Sequence, residues 1–165
     1  MGTSTDAILF YGYCWTEETS HPWNVGRDDP DNRDEDWEER WARAKGLVAP
    51  TETYPETRDR HGKPLHDLPP DKAAIVAKYA AYWDAKRALT EPVGCVAETH
   101  CSGECPMPFV AVKASKIKAW RGYPKEIASL KIEPEWQAML DEFCATLGIK
   151  TEGMKAAWWL VSDWN

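Results

Sequence analysis

No stretch of this chain is apolar for the ~20 residues that a membrane-crossing helix needs. Its opening, Met1–Asp6, lacks the basic-then-apolar succession of a secretion signal. A cytosolic protein without a membrane partner is the expectation. The familiar catalytic signatures are missing too. There is no Gly-x-x-x-x-Gly-Lys-Ser/Thr phosphate loop, no Gly-x-Gly-x-x-Gly and no Gly-x-Ser-x-Gly elbow. The acidic run Asp28–Asp36 has no glycine where a calcium-binding loop must turn. Internal repeats and low-complexity tracts are absent, and only 3 phenylalanines occur. The aromatic weight falls instead on 10 tryptophans, each of which needs a partner for its indole N–H when buried.

The 165 residues suit a single domain with a core of its own. Five cysteines, an odd number, read in a reducing compartment as buried thiols or metal ligands rather than as a disulfide framework. The net charge of −7 is unevenly placed. Residues 17–45 carry ten acids against five bases, whereas residues 113–131 carry six bases and one acid, Glu126. Such polarity steers charged partners.

Period-two and period-3.6 patterns divide the chain. Ala7–Trp15 reads as a buried strand with a bulge at Gly12. Asp36–Lys45 reads as a short helix with Trp37 and Trp41 on one face and Gly46 as its stop. Residues 46–70 hold five prolines and no periodicity, the mark of a long loop. Asp71–Leu89 is a long alanine-rich helix whose stripe of Ile75, Tyr79, Tyr82, Trp83 and Leu89 is expected in the core. A hairpin of Val93–Thr99 with Phe109–Ser115 follows, then a basic connection over Lys116–Leu130. Pro134 is placed to open a helix with Trp136, Met139, Leu140, Phe143, Cys144 and Leu147 on one stripe and Gly148 at its end. Ala157–Asp163 closes the chain as a strand. The expected fold is α+β: an antiparallel or mixed sheet of about four strands covered by about three helices.

The hairpin concentrates reactive residue types. A three-residue turn Ser102-Gly103-Glu104 would set Cys101 opposite Cys105, Thr99 opposite Met107 and Ala97 opposite Phe109. Glu98 and His100 would then share the other face, an arrangement suited to general acid/base work. A zinc set would be His100, Cys101 and Cys105, with Cys95 or His66 as fourth ligand. One Cys-x-x-x-Cys without a second matching pair argues against it. Adjacent His100 and Cys101 also point to opposite faces of a strand, which weakens a nucleophile pair as well.

The basic segment combines cations and rings: Lys116, Lys118, Trp120, Arg121, Tyr123 and Lys125. Cations hold phosphate while an indole or phenol stacks on a base, so a nucleotide or a short single strand suits the set. Duplex DNA does not suit a chain that is acidic as a whole. The plain alternative is a solvated edge strand guarded by lysines.

Three stretches, His100-Cys101-Ser102-Gly103 with Pro106-Met107-Pro108-Phe109-Val110, Arg121-Gly122-Tyr123-Pro124, and Trp158-Trp159-Leu160 with Trp164, together with the aromatic opening Phe10–Trp15, resemble a group of small accessory proteins of tailed bacteriophages. Those proteins carry tyrosine where this chain has Cys105, which speaks against an obligatory metal there. The resemblance implies a phage context in a bacterial cytoplasm, where accessory proteins bind host components and blunt host defence. The sharpest expectation is a non-enzymatic sponge that sequesters a nucleotide-derived signal without a cofactor. In it Lys116, Lys118 and Arg121 would hold phosphate, Trp120 and Tyr123 would stack, and Glu98 and His100 would face the pocket wall. A protein–protein inhibitor using the acidic face Asp28–Glu39, with Trp37 or Trp41 as anchors, is the second expectation. A small Glu98/His100 or metal-assisted enzyme is the third, and assembly into homo-oligomers is left open.

Overall fold

Strand β1, Thr5–Cys14, is hydrogen-bonded along both edges and buried along nearly its whole length. A strand covered on both faces must be apolar at successive positions, and the run Ala-Ile-Leu-Phe-Tyr-Gly-Tyr-Cys meets that demand. The computed structural model of the chain describes residues 5–15, 22, 36–58, 68–102, 106–151 and 153–164. They fall into two compact units, residues 1–37 with 93–165 and residues 38–92.

The first unit holds a five-stranded mixed sheet and one helix. After β1 come β2 (Cys95–Cys101), β3 (Pro106–Val112), β4 (Ile117–Ala119) and β5 (Ala157–Trp164). One edge of β1 pairs antiparallel with β5 from Thr5↔Trp164 to Gly12↔Ala157. Its other edge takes β4 at Ala7–Leu9 and then β3 at Gly12–Cys14. β2 pairs with β3 and meets β5 in a single parallel bridge, Cys101↔Asp163. The pairings β1–β3–β2–β5–β1 therefore form a closed circuit, which leaves few open sheet edges.

The ladder beside β1 is interrupted by a 3-10 turn at Lys113–Ser115. The interruption would orphan the amide of Tyr11, and a buried N–H needs a partner. Ser115 supplies it: its Oγ accepts from Tyr11 N at 2.8 Å and donates to the Val112 carbonyl at 2.7 Å.

Inside the circuit Ile8, Phe10, Cys14, Phe109 and Ala111 form a buried cluster against which Trp159 and Val161 pack. Phe10 and Phe109 are stacked with centroids 4.3 Å apart. Helix α3 (the helices being α1, Trp37–Ala44; α2, Pro70–Thr90; and α3, Trp136–Leu147) covers the opposite face of β2 and β3. It buries Trp136, Leu140, Phe143, Cys144 and Leu147. Gly148, at φ 66°, ends it in the left-handed conformation that glycine tolerates, and Ile149 N donates back to the Cys144 carbonyl at 2.8 Å. Pro134 lies in the turn before the helix, which starts two residues later than the sequence suggests.

The second unit contains α2 and all of α1 but Trp37. α2 has proline at its start and 21 residues. Its expected core stripe is corrected: only Tyr82 of the five is buried, and Trp83 is 45% exposed. Tyr82 donates its hydroxyl to Glu39, which also receives Lys86 at 2.7 Å. Tyr79 donates to the Glu52 carbonyl at 2.7 Å, and Tyr54, Tyr79 and Trp83 form a three-ring cluster. Of the proline-rich loop, residues 59–67, which include His66, lie outside the described residues. Among the described residues no helix is long and apolar enough to cross a membrane.

Gly12 is not a bulge; it stands in regular register with Ala111 and Ala157. It is glycine because β3 crosses there: a Cβ at this position would meet the Val110 carbonyl oxygen and lie 2.9 Å from Ala111 Cα. At Gly94 a Cβ would meet only the flexible end of the Met139 side chain. Gly12→Ala should therefore cost about 3 kcal/mol and Gly94→Ala about 1 kcal/mol or less. Urea midpoints of the two variants check the contrast; equal losses would contradict this account of Gly12.

Candidate functional site

The basic connection carries the short strand β4 and then a tight turn. Tyr123 N donates to the Trp120 carbonyl at 2.9 Å, and Gly122 has φ 79°. This is the pattern of a type II turn, which needs glycine at its third position. The turn sets Trp120, Arg121 and Tyr123 side by side. Trp120 is 56% exposed and Tyr123 75%. They line an open groove of about 740 Å³ together with Asp6 of β1 and Leu160 and Ser162 of β5. Leu160 is itself exposed, so the groove has an apolar floor beside its aromatic wall.

Electrostatics under the groove follow from the β1–β5 register, which sets Asp6 directly opposite Asp163. Like charges so placed repel. Lys118 sits between them, 2.6 Å from Asp163 Oδ2 and 3.5 Å from Asp6 Oδ2. The Asp163 hydrogen bond is the main cause that raises the Lys118 pKa above its ordinary value. The same ammonium lies 4.4 Å from the centroid of the Trp120 ring, a cation–π contact that fixes the indole. Arg121 N donates to Asp6 Oδ1 at 3.0 Å. Asp6 is thus tied to the turn as well as to the strand.

The structure brings together only part of the expected set. Trp120, Arg121 and Tyr123 line the groove, and Lys118 lies against Trp120. Lys116 is bound to Glu98, and neither lines the groove. Lys116 and Lys118 are therefore held by carboxylates, so of the three expected phosphate holders Arg121 is the one that lines the groove. His100 is also elsewhere. Sequence reasoning missed Asp6, although an acid opening an otherwise apolar strand is a visible signal.

The hairpin register is one residue away from the expected one. Cys101 pairs with Pro106, Thr99 with Pro108, Ala97 with Val110, and His100 with Met107. Cys101 has φ 75°, so a non-glycine residue already turns the chain at the end of β2. Residues 103–105, Cys105 among them, lie outside the described residues, as do residues 28–35 of the acidic face. Glu98 and His100 do share one face, as alternation requires. The thiol beside His100 is Cys14 of β1, not Cys101: its Sγ is 3.5 Å from Nε2. Burial pushes the Cys14 thiol up to about 11, so it is no thiolate at neutral pH. Cys95 and Cys144 are likewise pushed up to about 12 by burial. Among the described residues no cluster of three or more His, Cys, Asp or Glu could hold a metal. Trp37 and Trp41, the expected anchors of the acidic face, are buried.

His100 is 8% exposed and its Nδ1 has no hydrogen-bond partner of good geometry. Burial, opposed by the Ser162 backbone and the Asp163 charge, lowers its pKa from the ordinary 6.5. The unfolded chain thus takes up this proton at a higher pH than the folded one. The stability that neutral His100 contributes is complete above 6.5 and is lost as pH falls toward the folded value. The urea midpoint should drop between about pH 7.5 and about pH 5.5. His100→Gln should flatten that drop; an unchanged slope in the variant would contradict the assignment.

No family model, no curated protein and no solved structure matches this chain, so the reading of the groove rests on its own residues.

Proposed function

We infer that this chain is a non-enzymatic binder whose groove takes a small, phosphate-bearing, nucleotide-like ligand and holds it out of circulation. The observation that carries the reading is the turn Trp120–Tyr123, which presents two exposed rings and one guanidinium to a single open groove. Exposed large aromatics cost free energy in water, and two beside a cation form the combination that stacks on a base and grips a phosphate. The buried, protonated thiols argue against nucleophilic chemistry. The resemblance to phage accessory proteins supplies the setting, in which a captured nucleotide would be a defence signal of the host.

A second reading, an inhibitor of a host protein, draws on a different surface. The exposed Tyr54 and Trp83 of the second unit form, with the half-buried Tyr79, a ring cluster of the kind that anchors protein interfaces. Trp83→Ala would weaken capture of a protein and leave nucleotide binding alone.

Titration calorimetry with AMP, GMP and inorganic phosphate tests the first reading. A nucleotide should bind more tightly than phosphate. Trp120→Ala should lose a stack worth ~1–3 kcal/mol, roughly 5- to 150-fold in affinity. Arg121→Ala should lose a comparable amount through the phosphate. If neither nucleotide binds, the reading is wrong; if both variants bind like the parent, the site is misplaced.

A further inference from the structure

We propose that the groove takes two bases joined by one phosphodiester, so that its ligand is a dinucleotide unit rather than a mononucleotide or a nucleoside polyphosphate. This rests on the nucleotide-binding reading of the same groove and names the class of nucleotide it takes.

The charge offered to a ligand is that of a single cation. Among the described residues Arg121 is the one cationic side chain that lines the groove, and it is exposed. Lys116 is held by Glu98, and Lys118 by Asp163 and Asp6. A guanidinium grips one phosphate through two parallel hydrogen bonds. A terminal phosphate carries roughly −1.5 to −2 charges at neutral pH, and a polyphosphate carries more. A phosphodiester carries a single negative charge, which one guanidinium neutralises.

The stacking surface, by contrast, is double. Trp120 is 56% exposed and Tyr123 75%, and the turn sets them in chain order on either side of Arg121 and Gly122. Lys118 lies against one face of the Trp120 indole, 4.4 Å from its centroid, which fixes the ring and leaves its other face for a base. One nucleotide would use Trp120 and Arg121 and leave Tyr123, the more exposed ring, in water, where an aromatic face costs free energy. A second base joined through the same phosphate covers that ring and brings no charge for which the groove lacks a partner. Ring, guanidinium and ring thus match base, phosphate and base. The size agrees: about 740 Å³ lies in the upper half of the ~300–1,000 Å³ that small-ligand sites span. Ala7, Pro124 and Leu160 add apolar walls suited to bases rather than further phosphate holders. Phosphodiester-linked bases occur both in free dinucleotides and in single strands, and this chemistry is common to the two.

Titration calorimetry of the full chain with AMP, ATP, the dinucleoside monophosphate ApA and a longer single strand of adenylates, at one salt concentration, tests the assignment. ApA should bind at least about fivefold more tightly than AMP through its second stack, and ATP no more tightly than AMP. Tyr123→Ala, a change at an exposed side chain that should keep the thermal midpoint, should bring ApA down to the affinity of AMP and leave AMP itself unchanged. Trp120→Ala should weaken both. Equal affinity for ApA and AMP, or ATP binding more tightly than ApA, overturns the two-base assignment and leaves the groove as a mononucleotide site. So does a Tyr123→Ala variant that weakens AMP as much as ApA, the mark of one base clamped between both rings. Absence of binding throughout overturns both readings. A strand that binds no better per step than ApA makes a free dinucleotide the source of the ligand, and one that binds better per step makes single-stranded nucleic acid the source.

Discussion

Every hydrogen-bonding edge and both faces of β1 are in use, and that constraint organises the sheet unit. β5 occupies one edge of β1 and β4 with β3 the other. The even-numbered side chains fill the interior, while Tyr11 and Tyr13 turn the other way toward α3, where Tyr13 accepts from Gln137 Nε2 at 3.0 Å. Burial raises the Tyr13 hydroxyl's pKa accordingly. The strands around β1 close on one another through the parallel bridge at Cys101. The cost is local. A glycine is needed where β3 crosses, a serine is needed to satisfy an amide that the interrupted ladder leaves over, and a histidine is buried with one ring nitrogen unmatched.

The same constraint builds the groove. Antiparallel pairing of β1 with β5 forces two carboxylates into one cross-strand pair. β4, on the far edge of β1, brings Lys118 to neutralise the repulsion, and the chain then has to leave the sheet at once. The type II turn that follows is anchored by its own backbone to Asp6. Trp120 and Tyr123 stand exposed in this turn, beside β1 and β5. The groove arises where a structural ion network and a short turn meet.

Much of the fold could be read from residue patterns. β1, β5 and α3 are marked by continuous or regularly spaced apolar residues, and Gly148 marks an end because only a left-handed residue fits there. The strand β4 was hidden, since three residues carry too little periodicity to separate them from a loop. The α2 stripe misled because helical periodicity marks an apolar face without stating how deeply it is buried. The hairpin was placed one residue out of register, since loop length is not fixed by the types of residue in it and Cys101 takes a positive φ normally left to glycine. Glu98 with His100 was legible from alternation. The pairing of His100 with Cys14 was not, because it joins residues 86 positions apart through register alone. Of the groove, the ring-and-cation segment was legible from composition. The acid at its floor and the engagement of both lysines were not, for those depend on which strands become neighbours.

The central claim is that one turn and the strand ends beneath it form a ligand site. Two-dimensional nitrogen–proton spectra of the labelled protein, recorded as GMP is added, test it most directly, because each tryptophan indole and each backbone amide reports separately. The account predicts that the Trp120 indole and the amides of Arg121, Tyr123 and Asp6 shift together along one saturating curve, while the Trp83 indole of the second unit stays still. Shifts centred on Trp83 and Tyr54, or none in the turn at saturating nucleotide, would contradict it.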